Sequence, residues 1–210
     1  LQLAGAGATT RFGEAAEIVT EDGIPTGELR ELPALDLVRA AIPPLSAAAA
    51  RERAVASLRR LNAVGLTGAH VMDGSPATFG LVRDLEASGE LTVRLRVPLW
   101  QKPEMTVDEF RAQLPLAGER GRLWQGGVAK FFIDGVIDSG TAWRYEPDAQ
   151  GGGTDPFWPD PEAYAAAVSM FAGAGFQCVT HAVGDYAVHA ALEAYRPAAR
   201  VAAPHRIEHI

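Results

Sequence analysis

An α/β fold with a parallel sheet is what this sequence predicts, and three observations predict it. Five strand-like segments alternate with four helical ones after a leading helix, the order that lays helices over parallel strands. One of those strands, in "GGVAKFFIDG" (126–135), is apolar almost without interruption, as strands buried on both faces are. The third is scale: 210 residues, 48% hydrophobic and 21% charged, suffice for one sizeable domain or part of a larger one.

The elements follow in order. Residues 1–45 read as irregular or short elements, with a turn around Asp22, Gly23 and Pro25. "SAAAARERAVASLRRLNAVG" predicts a helix with Ser46 as N-cap and Gly65 as stop. "LTGAHVM" (66–72) reads as a strand, "PATFGLVRDLEASG" (76–89) as a helix and "LTVRLRVPL" (91–99) as an alternating strand. Thr106 and Glu109 stand at capping-box spacing before "TVDEFRAQL". After the strand around Lys130 comes a long loop, 134–159, carrying Trp143, Tyr145 and Trp158. Then Asp160 and Pro161 open a helix. "FQCVTH" (176–181), "GDYAVHAALEAY" and "HRIEHI" (205–210) complete the series as strand, helix and strand. Both an open doubly wound sheet and a (β/α)8 barrel fit, and both gather functional residues at the carboxyl ends of strands.

Composition narrows the partners. A net charge of −7 with no long basic patch argues against nucleic acid and anionic membrane. No run of about 18 apolar residues predicts a membrane helix. The single Cys178 excludes an intramolecular disulfide, and with no visible signal peptide this fits a cytoplasmic location. A small-molecule substrate is the expected partner, and a homo-oligomer is compatible with the sequence.

Lys130 is the residue that composition makes conspicuous. Of the 19 Lys and Arg residues only Lys102 and Lys130 are Lys, and Lys130 sits inside an apolar strand. A lysine amine can lose its proton and react with carbon dioxide to give an anionic carbamate, whereas a guanidinium stays protonated. His181 ends the next strand and His209 lies in the one after, so three metal-competent residues fall on successive parallel strands. Each has a plainer reading. Lys130 could snorkel or pair with Asp134, and a strand-end histidine is more often a hydrogen-bonded structural residue. His70 ends the first visible strand without a partner at metal spacing. His189 and His205 read as structural, and Asp185 falls near a helix N-terminus. A nucleotide-binding turn in "LAGAGATT" fails, because Thr10 stands where the fingerprint needs its last small residue and no strand precedes it.

"VAKFFIDG", "THAVGDYAVHAALEAY" and "HRIEHI" resemble the three central motifs of amidohydrolase family 3, metal-dependent hydrolases of the amidohydrolase superfamily. "DGIPTGELRE" and "LNAVGLTGAHVMD" resemble further segments of that family in the same order. The resemblance implies a partial (β/α)8 TIM barrel in which the five visible strands are the second to sixth. It also implies that residues 46–210 are the central part of that barrel, and that 1–45 are an insertion or pocket-lining segment. Lys130 would then be a carboxylated, metal-bridging lysine, with His181 and His209 as further ligands of one or two divalent ions, zinc foremost.

The implied activity is hydrolysis of a C–N bond other than a peptide bond, with metal-activated water as nucleophile. The alternative is a non-catalytic or regulatory relative that binds a ligand without hydrolysis. The family's H-x-H pair, its eighth-strand Asp, two last strands and small β domain do not occur in these 210 residues, so the chain is expected to be an internal piece of a larger enzyme. Two lesser expectations concern the substrate pocket: that loop 134–159 walls it, and that Thr26–Leu29 approaches it.

Overall fold

The computed structural model describes residues 1–12, 16–149 and 151–210. Gly13, Glu14 and Ala15 of the first 45 residues, and Gln150 of the long loop, lie outside the described residues. The turn read at Asp22-Gly23 closes a hairpin. Both residues take positive φ, 50° and 76°, which suits the twist between antiparallel strands β1 (Glu17–Glu21) and β2 (Ile24–Arg30). Helix α1 (Glu31–Arg39) follows directly. Residues 17–39 are therefore more regular than their weak apolar alternation suggests.

Helix α2 (Ala47–Ala63) starts where Ser46 accepts a hydrogen bond from the Ala49 N–H. The alternating part comprises β3 (Gly68–His70), α3 (Pro76–Ala87), β4 (Arg94–Arg96), β5 (Leu99–Gln101), α4 (Val107–Gln113), β6 (Trp124–Gln125) and β7 (Val128–Phe132). It continues through α5 (Pro161–Gly173), β8 (Gln177–His181), α6 (Asp185–Tyr195) and β9 (Arg206–Glu208). The capping box of α4 forms in both directions, with Thr106 and Glu109 each accepting the other's backbone N–H, at 3.2 and 2.7 Å from donor to acceptor. Asp160 caps α5 through the N–H groups of Glu162 and Ala163.

All strand pairs from β3 onward are parallel and neighbour one another in chain order, as β3-β4-β6 and β5-β7-β8-β9. The two sheets follow one another along the chain at two bends. β4 runs into β5 through Pro98, which has no N–H to donate, and β6 runs into β7 through Gly126 and Gly127. Gly127 turns the chain with φ 73°, a conformation that favours glycine. The ladder continues across the first bend, where Val97 N–H donates to Gln125 C=O at 2.9 Å. A doubly wound sheet reverses its strand order at a switch point, and no reversal occurs among the described strands.

Register decides which side chains share a face. Ala129, Phe131, Cys178 and Thr180 face the helices. There Phe131 meets Trp158, Tyr164 and Phe171, and the Thr180 hydroxyl bonds Tyr164 Oη at 2.7 Å. The buried residues of α5, Tyr164, Ala167, Val168, Phe171 and Ala172, recur at helical spacing and form its sheet-facing stripe. Among the described residues no helix is long and apolar enough to cross a membrane.

Candidate metal centre

The opposite face carries the polar residues. Trp100, Lys130, Val179 and Arg206 are register partners across β5, β7, β8 and β9. Phe132, His181 and Glu208 form the row one step nearer the carboxyl ends. Alternation therefore puts Lys130, His181 and Glu208 on one face. His209 follows β9 immediately rather than lying in it, with φ 79°, which turns the chain off the ladder.

Lys130 is 1% exposed, and its Nζ has no hydrogen-bond partner among the described residues. It lies 4.6 Å from the Phe132 ring centroid. Burial pushes its pKa down to about 8, with Glu208 opposing and Arg206 adding to the shift. The expected alternative partner, Asp134, is engaged elsewhere. Its buried carboxylate accepts from the N–H groups of Trp143 at 2.9 Å, Val183 at 3.0 Å and Gly184 at 2.7 Å. Burial raises the Asp134 pKa, while those donors and nearby His181 hold it back. Asp134 thus ties the loop after β7 to the entry of α6. Gly184 is required there, since a Cβ on it would come 1.9 Å from the Trp143 carbonyl oxygen.

His181 stacks on Phe132 at 5.0 Å between ring centroids, with 28° between the planes. Its Nε2 lies 2.7 Å from the Gly135 carbonyl oxygen and 3.6 Å from Asp134 Oδ1. Donation from Nε2 to Gly135 leaves Nδ1 with the lone pair that a metal needs. Burial lowers the His181 pKa, which favours the neutral ligating form. The His181 and His209 rings are 4.7 Å apart. A cavity of about 850 Å³ is lined by Lys130, Phe132, Glu208, His209, His70 and Met72. The structure therefore brings His181 beside His209 and sets Lys130 in the cavity that His209 also lines.

Among the described residues no group of three or more His, Cys, Asp or Glu is arranged to hold a metal ion. The donor set present is of another kind: two adjacent imidazoles and a buried amine without a partner. That set fits part of a metal centre, with the amine supplying ligand oxygens only after carboxylation.

The remaining expectations separate cleanly. His205 is structural, since its Nδ1 accepts from Cys178 N–H at 3.0 Å. His70 is largely exposed, and partial desolvation of its ring together with Arg206 and Arg96 lowers its pKa. Trp158 is 2% exposed and packs against Phe110, Phe131 and Tyr164, so it is core rather than pocket wall. Trp143 packs on Tyr186. Thr26 and Leu29 line a different cavity, with Leu1, Leu3 and Val38, and do not reach the one holding Lys130. Phe132, Arg206 and Glu208 escape sequence reading singly. The alternation K-x-F on β7 and R-x-E on β9, the two strands that flank β8, is the signal that places them with Lys130.

The sequence matches the family described as "Amidohydrolase family" along residues 1–210. Two solved structures share the fold. One, an uncharacterized metal-dependent hydrolase from Pyrococcus horikoshii OT3, has a TM-score of 0.64 and 16% identity over 83% of this chain. The other, an uncharacterized metal-dependent hydrolase from Pyrococcus furiosus, has a TM-score of 0.67 and 18% identity over 92% of it. The chain spans 35% and 40% of the lengths of those proteins. No curated protein matches the sequence.

Proposed function

The chain belongs to the amidohydrolase family, and from that premise we propose that it supplies part of the active site of a metal-dependent hydrolase. The parallel strands β3 to β9 are a segment of a (β/α)8 barrel. The bond cleaved is a C–N bond of a small molecule, other than a peptide bond. Lys130, His181 and His209 hold a divalent metal, zinc foremost, with Lys130 carboxylated. Such a metal supplies a Lewis acid for a carbonyl and lowers the pKa of water.

The chain's own residues prepare the site. Burial keeps a larger fraction of Lys130 neutral than the ordinary lysine pKa of 10.5 allows, by about two powers of ten at neutral pH. The neutral Nζ forms the N–C bond to carbon dioxide and releases one proton. Gly135 fixes the His181 tautomer, and Phe132 fixes its ring plane.

The observation that carries this reading is the partnerless, buried Lys130 amine in the cavity that His209 also lines. Metal analysis of the full-length protein tests it, with Lys130→Ala alongside. Bound divalent metal in the wild type, and loss of metal or activity in the variant, is the expected result. Retention of both at wild-type levels removes Lys130 from the site. A full-length protein that binds no metal and hydrolyses nothing is instead the non-catalytic ligand-binding relative.

A further inference from the structure

Beside the Lys130 cavity lies a second one of about 340 Å³, between α1 and the carboxyl ends of β5 and β7. Its size is at the low end of the range of small-molecule sites, about 300–1,000 Å³. Leu32 and Pro33 of α1 form one side, and Trp100, Phe132 and Phe157 the other. The three aromatic side chains are half-buried, and Trp100 meets Phe132 at 5.3 Å with 57° between the rings.

The charges at its rim are already matched. Lys102 stands 4.5 Å over the Trp100 ring and 3.9 Å from Glu104, and Asp36 pairs with Arg39 at 2.9 Å. Neither an anion nor a cation is called for, and the surface left for recognition is aromatic and aliphatic. The cavity is also held in place. The Glu31 carboxylate, at the start of α1, accepts from the hydroxyls of Ser139 and Thr141 in the loop that follows β7.

Two contacts join this cavity to the candidate metal centre. Phe132 lines both, and Trp100 is the register partner of Lys130 on the next strand. We infer that the substrate carries an apolar ring next to the bond that is cleaved, and that this ring seats between Leu32, Trp100, Phe132 and Phe157. The inference rests on the proposed hydrolase reading for the word substrate, while the ring site itself rests on the cavity alone. Leu32 and Phe157 then set specificity without touching the reacting atoms.

The test uses the full-length protein with benzamide and acetamide, two amides that differ in the ring, and reads binding by calorimetry. Benzamide binds about tenfold or more tightly than acetamide, the scale expected when a ring is buried in an apolar slot. Leu32→Trp fills the slot and removes that preference. Leu32→Ala widens it and raises the affinity for 2-naphthamide relative to benzamide. Equal binding of the two amides by the wild type overturns the inference. So does an unchanged ring preference in folded Leu32→Trp. If that variant does not fold, an unchanged naphthamide-to-benzamide ratio in Leu32→Ala overturns it instead. Ring preference in a full-length protein without metal sinks the hydrolase reading and leaves the ring site standing. Metal and hydrolysis without ring preference sinks the ring site alone.

Discussion

Replacing Lys130 with Met removes the amine while keeping a long flexible side chain, so it isolates the cost of burying a charge there. The folded-state pKa of about 8 lies below the ordinary 10.5 because burial penalises the ammonium. At about 1.4 kcal/mol per tenfold in proton affinity, the folded state bears a penalty on the order of 3 kcal/mol at pH 7. The sign follows from proton counting. Between pH 8 and 10.5 the unfolded lysine holds a proton that the folded one has lost, so stability rises with pH across that window. Below about 8 both forms are protonated and the penalty is full. Metal-free full-length protein, purged of carbon dioxide, is unfolded with urea at pH 7 and near pH 10. Lys130→Met is expected to be more stable at pH 7 by roughly 2–3 kcal/mol, with most of that gap closed near pH 10. A gap of the same size at both pH values, or a variant less stable at both, refutes the account of a buried, partnerless ammonium. On the proposed reading, in which Lys130 is a ligand, metal-loaded protein reverses the order, because a metal bound only by the folded state stabilises it and the variant binds less.

Two further outcomes follow from groups around the site. Asp134→Ala leaves the N–H groups of Trp143, Val183 and Gly184 without their acceptor, so it lowers stability by about 3 kcal/mol or more, read as a fall in the thermal midpoint. Cys178 is fully buried with its pKa pushed up to about 12, so a thiol-specific disulfide reagent labels it only on unfolding, followed by absorbance during denaturation.

The fold was legible where its signals are local. Ser46, the Thr106–Glu109 pair and Asp160–Pro161 each act within one turn, and each forms the cap that its spacing implies. The bends were not legible as bends. "LTVRLRVPL" reads as one strand because its direction is continuous, whereas the structure divides it into β4 and β5 at Pro98, beside the Gly126-Gly127 bend between β6 and β7. The hairpin announces its turn through Asp22-Gly23. Its strands stay hidden, because within β1 and β2 only Ile18 is buried and no apolar alternation marks them.

The site divides in the same way. Lys130 stands out because a charge in an apolar strand is a local contradiction that any reading of the sequence meets. What keeps its amine unpaired is not local. The acid four residues on, Asp134, is the partner that proximity in sequence suggests, and proximity misleads. Two residues past the end of β7, Asp134 meets N–H groups 9, 49 and 50 positions away, and these occupy its carboxylate. Engaged with the backbone, Asp134 braces the loop and the α6 entry that hold His181 in place, while Lys130 is left without a neutralising contact. The same arrangement that makes the strand costly to fold as an ammonium keeps the amine reactive. A residue whose burial lowers stability, on a face shared with His181 and beside the cavity that His209 lines, is a position that packing alone would fill with Met or Leu.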